Sequence, residues 1–519
     1  MHPRSAVVPG ELGIRATAGL VAAAAILGVA AYPPLGAGAL AFVMLAPVVA
    51  ALEGRSPRAG FAIFYVYTVA MALGIVRWLV HPLVVGYGLS AAAAWTFTVL
   101  LVAAYATIPS AAASAYCVLR PHLRPALAPV VFAALWTLAE WLRAEPLRLP
   151  WLLAAHPLAF TPIALQAAGL GGAHAVGFGV VLANAGLGVA LRGRRVAPLV
   201  IPALVLGAAG AYGAVQLTRP TANGDAMRFG VVQASLDPSE RFRPDSVSVR
   251  HHMALTRDLV AREPVDLVIW SETSVDAVLD ETLESALSRF VDETGVPLLT
   301  GALRSAQGRT FNATVLLAPG AGWVESYDKQ VLVPFAESDT ALSPLFEPLL
   351  GPVMYGDSYE PGREATLLRG AGIPLATPIC FEITDAALVR RFRKRGAGVL
   401  INLSNDAWFG SSGYAKMHLA HAVFRAIESR SWVVRNANGG VSGVIDPAGR
   451  FRQGPPVFHE GSFVAEVYAA GVPPVYVRAG NVPVIALLLG VVGAAIVAAR
   501  RSRAARKSAG SSSDPRRSS

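Results

Sequence analysis

The chain has 519 residues, of which 54% are hydrophobic and only 15% are charged. Soluble domains carry about 25% charged residues, so this composition excludes an ordinary soluble protein and indicates that part of the chain lies in lipid. The net charge of +10 divides into +15 outside residues 225–480 and −5 inside them. Because the basic residues form no single patch on a folded domain, the charge does not predict a nucleic-acid partner.

Eight stretches are apolar over about the 17–25 residues that a helix needs to cross a bilayer. The first is longer than the apolar part of a signal peptide, which is about 7–15 residues, and another span follows closely. We therefore predict that it is retained as a helix. The eight stretches are 13–32, 36–52, 60–80, 90–115, 126–142, 172–191, 197–217 and 481–499.

Arginines in the short loops predict the orientation of the spans, because positively charged loops stay cytoplasmic. With a cytoplasmic N-terminus, the arginines of 192–195 and the basic tail 500–507 are cytoplasmic, whereas the outer loop 81–89 has no Lys or Arg. Both termini are then cytoplasmic. The predicted domains are a bundle of seven helices at 1–217, an external catalytic domain at 218–480, an eighth helix at 481–499 and a basic, disordered tail at 500–519.

Between 226 and 470, short β-rich runs alternate with amphipathic segments, which favours a layered α/β domain. Strands are predicted at 228–234, 265–270, 296–303, 310–318, 372–380 and 397–404. Helices are predicted at 244–262, 276–294, 383–395 and 415–432. Cys117 lies near the inner end of the fourth span and Cys380 in the external domain, so we predict no disulfide and a free thiol at Cys380.

Three reactive side chains lie in short segments that end strands of the external domain in the way active-site residues often do. Glu272 lies in IWSET, Lys329 in SYDKQVLVPFAE and Cys380 in TPICFE. If they converge, Cys380 attacks an ester or amide carbonyl as the thiolate, Glu272 takes and returns the proton, and Lys329 stabilises the oxyanion. Each residue also has an ordinary structural interpretation, as a salt-bridged acid, a solvated loop cation and a small core residue.

The local strings and their order resemble the nitrilase superfamily, and the setting among apolar spans resembles the apolipoprotein N-acyltransferase family. The resemblance rests on WSET, YDKQVLVPFAE, ICFE, LSNDAWFG and FRAIESRSWVVRNANGGVSGVIDP. It implies an α-β-β-α sandwich next to a membrane bundle, with neither cofactor nor metal. It also implies that Glu272, Lys329 and Cys380 form a triad, that Glu337 is a second acid beside it, and that Phe381 and Glu382 follow the nucleophile in its pocket.

The reaction implied by this resemblance is an acyl transfer at the outer face of the bacterial cytoplasmic membrane. A phospholipid gives a fatty acyl chain to Cys380, and the N-terminal diacylglyceryl-cysteine of an apolipoprotein then accepts it as an amide. Two alternatives remain open on the sequence. One is a membrane-anchored carbon–nitrogen hydrolase (amidase) with the same triad, and the other is a transporter or scaffold that only binds lipid.

Two positions depart from the family pattern. Ala336 stands where the family has glycine, which matters only if the backbone there requires a positive φ. Phe242 stands where tryptophan is usual, so any substrate contact by that ring is purely apolar.

The apolar, Pro-rich segment 341–356 follows Glu337. Exposed apolar loops are typical of binding surfaces. One interpretation is a lid that dips into the outer leaflet through Leu345, Phe346 and Leu350, and the other is a loop packed on its own domain.

His418 and His421 lie one helical turn apart on a predicted helix. Two ligands without a matching Cys, Asp or Glu spacing are a weak metal signal. We therefore predict no metal site and expect both histidines at the surface or in the surroundings of the active site.

Overall fold

The structure is a computed structural model that describes residues 12–222, 224–236, 247–338, 343 and 359–511. The N-terminal part of the protein is built from helices. Several helices begin at side-chain caps or at prolines; Ser90, for example, accepts a hydrogen bond from the Ala93 N–H at 3.2 Å. The helices are α1 (Ile14–Ala31), α2 (Ala46–Leu52), α3 (Pro57–Val76), α4 (Ala91–Leu119), α5 (Ala128–Ala144), α6 (Pro162–Leu165), α7 (Ala168–Gly193) and α8 (Ala197–Leu217).

Six helical segments of the described residues are long and apolar enough to cross a membrane. They correspond to six of the eight predicted spans. The second predicted span contains only a 3₁₀ helix (Gly38–Phe42) and the short α2, and the fifth corresponds to α5, which has 17 residues. The count of eight therefore stays a prediction. The six segments are Ile14–Ala31, Pro57–Gly86, Ala91–His122, Ala168–Gly193, Ala197–Leu217 and Val482–Ser502.

The loop after α5 is held by two buried charged side chains. Glu140 accepts a hydrogen bond from the Ala154 N–H at 2.7 Å. The Arg143 guanidinium donates to the carbonyls of Leu149 and Trp151. This loop carries Trp151 to the catalytic domain, where its ring lies against Phe381, Tyr414 and His418.

The C-terminal part contains two β-sheets. The first has the strand order β12-β1-β2-β4-β5-β6, with β3 also paired to β4, and the second has the order β11-β10-β9-β8-β7. Strands β1, β2 and β4 are parallel to one another, as are β7, β8 and β9. The strands are β1 (Met227–Gln233), β2 (Leu267–Ile269), β3 (Val275–Val278), β4 (Leu298–Ala306), β5 (Arg309–Ala318), β6 (Gly322–Asp328), β7 (Leu375–Ala376), β8 (Val399–Asn405), β9 (Trp432–Asn438), β10 (Gly443–Ile445), β11 (Phe451–Gln453) and β12 (Gly461–Val467).

The two sheets pack face to face between layers of helices. Alternate residues of the first sheet point to opposite sides: Val231 joins the core shared with the second sheet, and Val232 joins the core under α9 (Val247–Arg262) and α10 (Glu281–Thr294). Helices α11 (Ala386–Lys394) and α12 (Tyr414–Ser429) cover the second sheet. The chain ends with α13 (Val475–Ala479) and α14 (Val482–Ser511). This arrangement confirms the predicted α-β-β-α sandwich beside a helical bundle.

Several elements differ from the sequence prediction; α14, for example, continues to Ser511, into the segment predicted as a disordered tail. The segment expected to begin a helix at 276 is strand β3, and α10 begins only at Glu281, because Asp280 caps it by accepting a hydrogen bond from the Leu283 N–H at 2.8 Å. The strand expected at 372–380 is reduced to Leu375–Ala376, since the chain then turns to present Cys380.

The bundle and the catalytic domain are joined by hydrogen bonds near the N-terminal end of α7. Helical geometry is interrupted at Gly171 and Gly172, where Gly172 has φ +71°. The helix resumes at Ala173, whose N–H donates to the Glu428 carboxylate of α12 at 2.8 Å. A carboxylate at a helix N-terminus is favourable for both the helix dipole and the free amides. Nearby, Gln166 donates to the Ala448 carbonyl at 2.9 Å.

Asn436 of β9 links the two sheets and provides a test of the sandwich. Its side-chain amide donates to the carbonyls of Val232 (2.8 Å) and Ile269 (3.0 Å) in the opposite sheet. Asn436→Ala should lower the free energy of unfolding by about 1–3 kcal/mol, because buried carbonyls lose their partner. Thermal unfolding of the purified protein in detergent measures this effect. Gln453→Ala, at an exposed position of β11, should leave stability unchanged; equal stability of the two variants would contradict the role of Asn436.

Candidate active site

The structure brings the three predicted triad residues together. Glu272 follows β2, Lys329 follows β6 and Cys380 follows β7, and all three are buried. The Lys329 ammonium lies 3.1 Å from Glu272 Oε1. The Glu272 charge acts on the Cys380 thiol, whose pKa it raises. A carboxylate, an ammonium and a thiol thus share one buried site at the ends of strands.

Lys329 is enclosed by two carboxylates. Besides Glu272, its ammonium contacts Glu337 Oε1 at 2.8 Å, so the predicted second acid lies beside the triad. Asn312 connects the two acids by donating to Glu272 Oε1 at 2.9 Å and to Glu337 Oε1 at 3.3 Å. The Asn405 N–H donates to the other oxygen of Glu272 at 2.9 Å. A lysine that is 1% exposed needs such pairing, because an unpaired buried charge is strongly unfavourable.

The charges in this cluster set the protonation states. Burial alone disfavours the ionised form of Glu272, but the Lys329 charge and the hydrogen bond from Asn312 hold its pKa below the usual value. Burial likewise opposes the charge on Lys329, yet Glu272 and Glu337 raise its pKa well above normal. Burial and the Glu272 charge raise the pKa of the Cys380 thiol. At neutral pH the site therefore holds a carboxylate, an ammonium and a protonated thiol.

Cys380 occupies an unusual backbone conformation. Its φ is +48°, and it begins a short 3₁₀ helix, Cys380–Thr384, which is separated from the parallel strand β7 by residues 377–379. For a residue with a Cβ, the left-handed region costs roughly 1–2 kcal/mol. Such a conformation persists only where surrounding contacts hold it, and it is typical of functional sites.

Glu382 positions the loop that carries Lys329. Its Oε1 accepts hydrogen bonds from the Tyr327 hydroxyl (2.8 Å) and from the N–H groups of Gln330 (2.6 Å) and Val331 (3.0 Å), and its Oε2 accepts one from the Ile379 N–H (2.8 Å). Burial raises the pKa of Glu382 to about 7, although these donors favour the carboxylate. Glu382 is fully buried, so it connects the segments of Lys329 and Cys380 and does not line open space.

Other predicted positions fall into three groups. Phe381 is buried, with its ring centroid 6.4 Å from that of Trp151. Ala336 does not need a glycine, because the positive φ in this turn, +67°, belongs to Phe335. The remaining four predicted positions lie outside the described residues. They are Phe242 and the three lid residues, Leu345, Phe346 and Leu350.

His418 lies beside the active site, which is one of the two environments predicted for the histidines, whereas two further polar residues were not predicted. His418 and His421 are both buried, because α12 is covered by the second sheet on one side and α7 on the other. Asn312 and Asp406 were not predicted. The signal for Asp406 was its place in the string LSNDAWFG, whereas Asn312 lies inside a strand and gave none. Within the described ranges, no group of three or more His, Cys, Asp or Glu residues is arranged to hold a metal ion.

Fold and site together define an enzyme with a carbon–nitrogen hydrolase domain. Residues 230–475 match the family described as carbon-nitrogen hydrolase, and residues 24–186 match the apolipoprotein N-acyltransferase N-terminal domain. The chain belongs to the apolipoprotein N-acyltransferase family and is an acyltransferase.

Three relatives and one solved structure illustrate this similarity. Apolipoprotein N-acyltransferases from Azotobacter vinelandii and Methylococcus capsulatus are 32% and 34% identical, over 75% of this chain in both cases and over 76% and 77% of theirs. The one from Geobacter metallireducens is 29% identical over 90% of this chain and 92% of its own. Among solved structures, an amidase from Nesterenkonia sp. aligns with 17% identity and a TM-score of 0.37, over 50% of this chain and 96% of that chain.

The effect of Glu272 on Cys380 gives a prediction about thiol reactivity. In a Cys117→Ala background, Cys380 is the single cysteine. Glu272→Gln removes a negative charge that raises the Cys380 pKa but leaves Lys329 in place, so the midpoint of iodoacetamide alkylation against pH should fall by about 1–3 units. Intact-protein mass spectrometry follows the reaction. Glu293→Gln, at an exposed site of α10, should leave the midpoint unchanged, and an unchanged or higher midpoint for Glu272→Gln would contradict this electrostatic account.

Proposed function

We propose that the protein transfers a fatty acyl chain from a phospholipid to the N-terminal diacylglyceryl-cysteine of apolipoproteins, through a thioester on Cys380. The observation that carries this proposal is the buried cluster in which an ionised Glu272 lies beside a protonated Cys380 and the Lys329 ammonium. Membership of the apolipoprotein N-acyltransferase family supports an apolipoprotein as the acceptor, as the names of the relatives indicate.

In the first half-reaction, Glu272 accepts the thiol proton of Cys380 while the sulfur attacks an ester carbonyl of the phospholipid. Negative charge develops on the carbonyl oxygen, and the Lys329 ammonium stabilises it. The ester C–O bond then breaks, and Glu272 returns the proton to the departing alkoxide. The products are a thioester on Cys380 and a lysophospholipid.

In the second half-reaction, the neutral α-amine of the acceptor attacks the thioester carbonyl. Glu272 accepts a proton from the attacking nitrogen, and the tetrahedral intermediate collapses to an amide. The Cys380 thiolate leaves and recovers a proton from Glu272, which restores the initial state. No external oxidant, reductant or cofactor is needed for this balance.

Two lipid substrates give a physical reason for the membrane bundle. A soluble enzyme would have to extract each chain from the bilayer, at about 0.8 kcal/mol per CH₂ group. Contacts between bundle and domain lie close to the site: His81 Nδ1 is 3.0 Å from the Trp408 carbonyl, and the Phe97 and Phe335 ring centroids are 5.6 Å apart. The proposal retains the predicted domain division, with the catalytic domain on the outer face of the bacterial cytoplasmic membrane and both termini cytoplasmic.

The thioester is the most direct test. The purified full-length protein is incubated with dioleoyl phosphatidylethanolamine, and the mass of the peptide containing Cys380 is measured. We expect a mass increment of one oleoyl group, which a synthetic diacylglyceryl-cysteine peptide removes with formation of its N-oleoyl amide. If water releases the oleoyl group equally fast without the peptide, the protein is a hydrolase; if no donor gives an adduct, the mechanism is wrong.

Substitutions of the two cysteines separate nucleophile from scaffold. Cys380→Ser should reduce formation of the N-acyl product about 10³-fold or more. The catalytic residues act as a unit, so replacing the nucleophile alone removes most of the rate enhancement. Cys117→Ala changes a cysteine buried in α4 and should retain activity. If Cys380→Ser forms the N-acyl product as fast as the unmodified protein, Cys380 is not the nucleophile; if neither protein forms it, a lipid-binding scaffold is favoured.

A further inference from the structure

A buried polar network lies behind the backbone of Cys380. His418 Nε2 is 3.1 Å from the Cys380 carbonyl oxygen, and its Nδ1 is 3.0 Å from Asp406 Oδ1. Arg435 donates to Asp406 Oδ2 at 2.7 Å and lies 3.1 Å from His418 Nδ1. Asn402, which also pairs with Arg435, donates to the carbonyls of Pro378 at 2.8 Å and of Cys380 at 3.4 Å.

The contacts of His418 determine where its proton lies. A carbonyl oxygen only accepts hydrogen bonds, so Nε2 carries the proton and donates to Cys380. Nδ1 of the neutral ring then accepts a hydrogen bond from Arg435. The charge of Arg435 is paired with the Asp406 carboxylate. Burial and the Arg435 charge lower the pKa of His418, which keeps the ring neutral at physiological pH.

This hydrogen bond acts on a strained residue. Cys380 has φ +48°, a conformation that its own backbone does not favour. Because a peptide group is planar, fixing the Cys380 carbonyl also fixes the rotation of the turn that carries the thiol. Loss of the bond would allow the turn to relax and the sulfur to move away from Glu272 and Lys329.

We infer that His418 is a positioning residue for the nucleophile, which holds the left-handed turn at Cys380 through its Nε2–H and is itself oriented by the Arg435 guanidinium, which is paired with Asp406. The inference rests on the proposed role of Cys380 as the nucleophile. The other groups that face His418 are the rings of Trp151 and Tyr414, at centroid distances of 6.1 and 5.3 Å.

The two amide substitutions of His418 form a matched pair. The Gln side chain places an amide N–H where Nε2 lies and can reach the Cys380 carbonyl, whereas the Asn side chain is one CH₂ shorter and cannot. Both remain neutral and polar, so both should be tolerated similarly by the buried site. His421→Asn is the control for a polar change in the same helix, because His421 is buried one turn further on and packs against His156, with ring centroids 4.3 Å apart.

The first measurement is the rate of thioester formation in full-length protein with dioleoyl phosphatidylethanolamine in detergent micelles. We expect His418→Asn to lower the rate at saturating donor about 10²-fold, the size of effect that a displacement of about 1 Å produces, with the half-saturating donor concentration unchanged. His418→Gln should retain most of the rate, and His421→Asn should be close to the parent. Equal losses in His418→Asn and His418→Gln, or no loss in His418→Asn, would overturn the inference.

The second measurement does not depend on acyl transfer. In the Cys117→Ala background, iodoacetamide alkylation of Cys380 is followed against pH. Release of the turn in His418→Asn should move the thiol pKa from its raised value towards the ordinary value of 9.0, whereas His418→Gln should keep the parent profile. If the parent forms no thioester, the proposed function fails, but the alkylation profile still decides the role of His418. Identical profiles in all variants would refute the positioning role of His418.

Discussion

The pairing of the buried Lys329 ammonium with two carboxylates is the interaction on which the catalytic domain depends. A buried cation without partners is strongly unfavourable, so the folded state must bring Glu272 and Glu337 to it at 3.1 and 2.8 Å. These residues come from the ends of β2 and β6 and from the loop beyond β6. The requirement to neutralise one charge therefore fixes three segments around the position of the thiol.

The turn at Cys380 is restrained from two sides by side chains that do not react. Glu382 ties it to the N–H groups of Gln330 and Val331, next to Lys329. His418, from a helix on the far side of the second sheet, holds the Cys380 carbonyl. A conformation with positive φ is thereby maintained between the two sheets, and the distance between thiol, carboxylate and ammonium does not depend on any single loop.

The sequence was sufficient for the parts of this site that are local. Glu272, Lys329 and Cys380 each lie in a short distinctive string, although β2 and β6 belong to the first sheet and β7 to the second. Asn312 was not predictable, because an asparagine inside a strand has no pattern that separates a structural from a functional role. The sequence left open whether His418 lies at the surface or in the surroundings of the active site, since its burial arises from the packing of α12 against α7, which is a contact between distant parts of the chain.

The same limit applies to the elements. Amphipathic periodicity predicted α9 and α12 to within a few residues, whereas the strand before Cys380 was predicted too long. An apolar run continues to Cys380, but the backbone leaves the sheet after Ala376 to form the turn. Apolar character records burial, and both a strand and a buried turn satisfy it.

The interruption of α7 has a consequence for how the protein is made. The amide that restarts this helix, at Ala173, is bound by Glu428, which lies 255 residues later in the chain. During synthesis, the bundle helix is therefore complete in sequence long before its cap exists. This hydrogen bond can therefore form only after the segment that carries Glu428 has been synthesised and packed against α7.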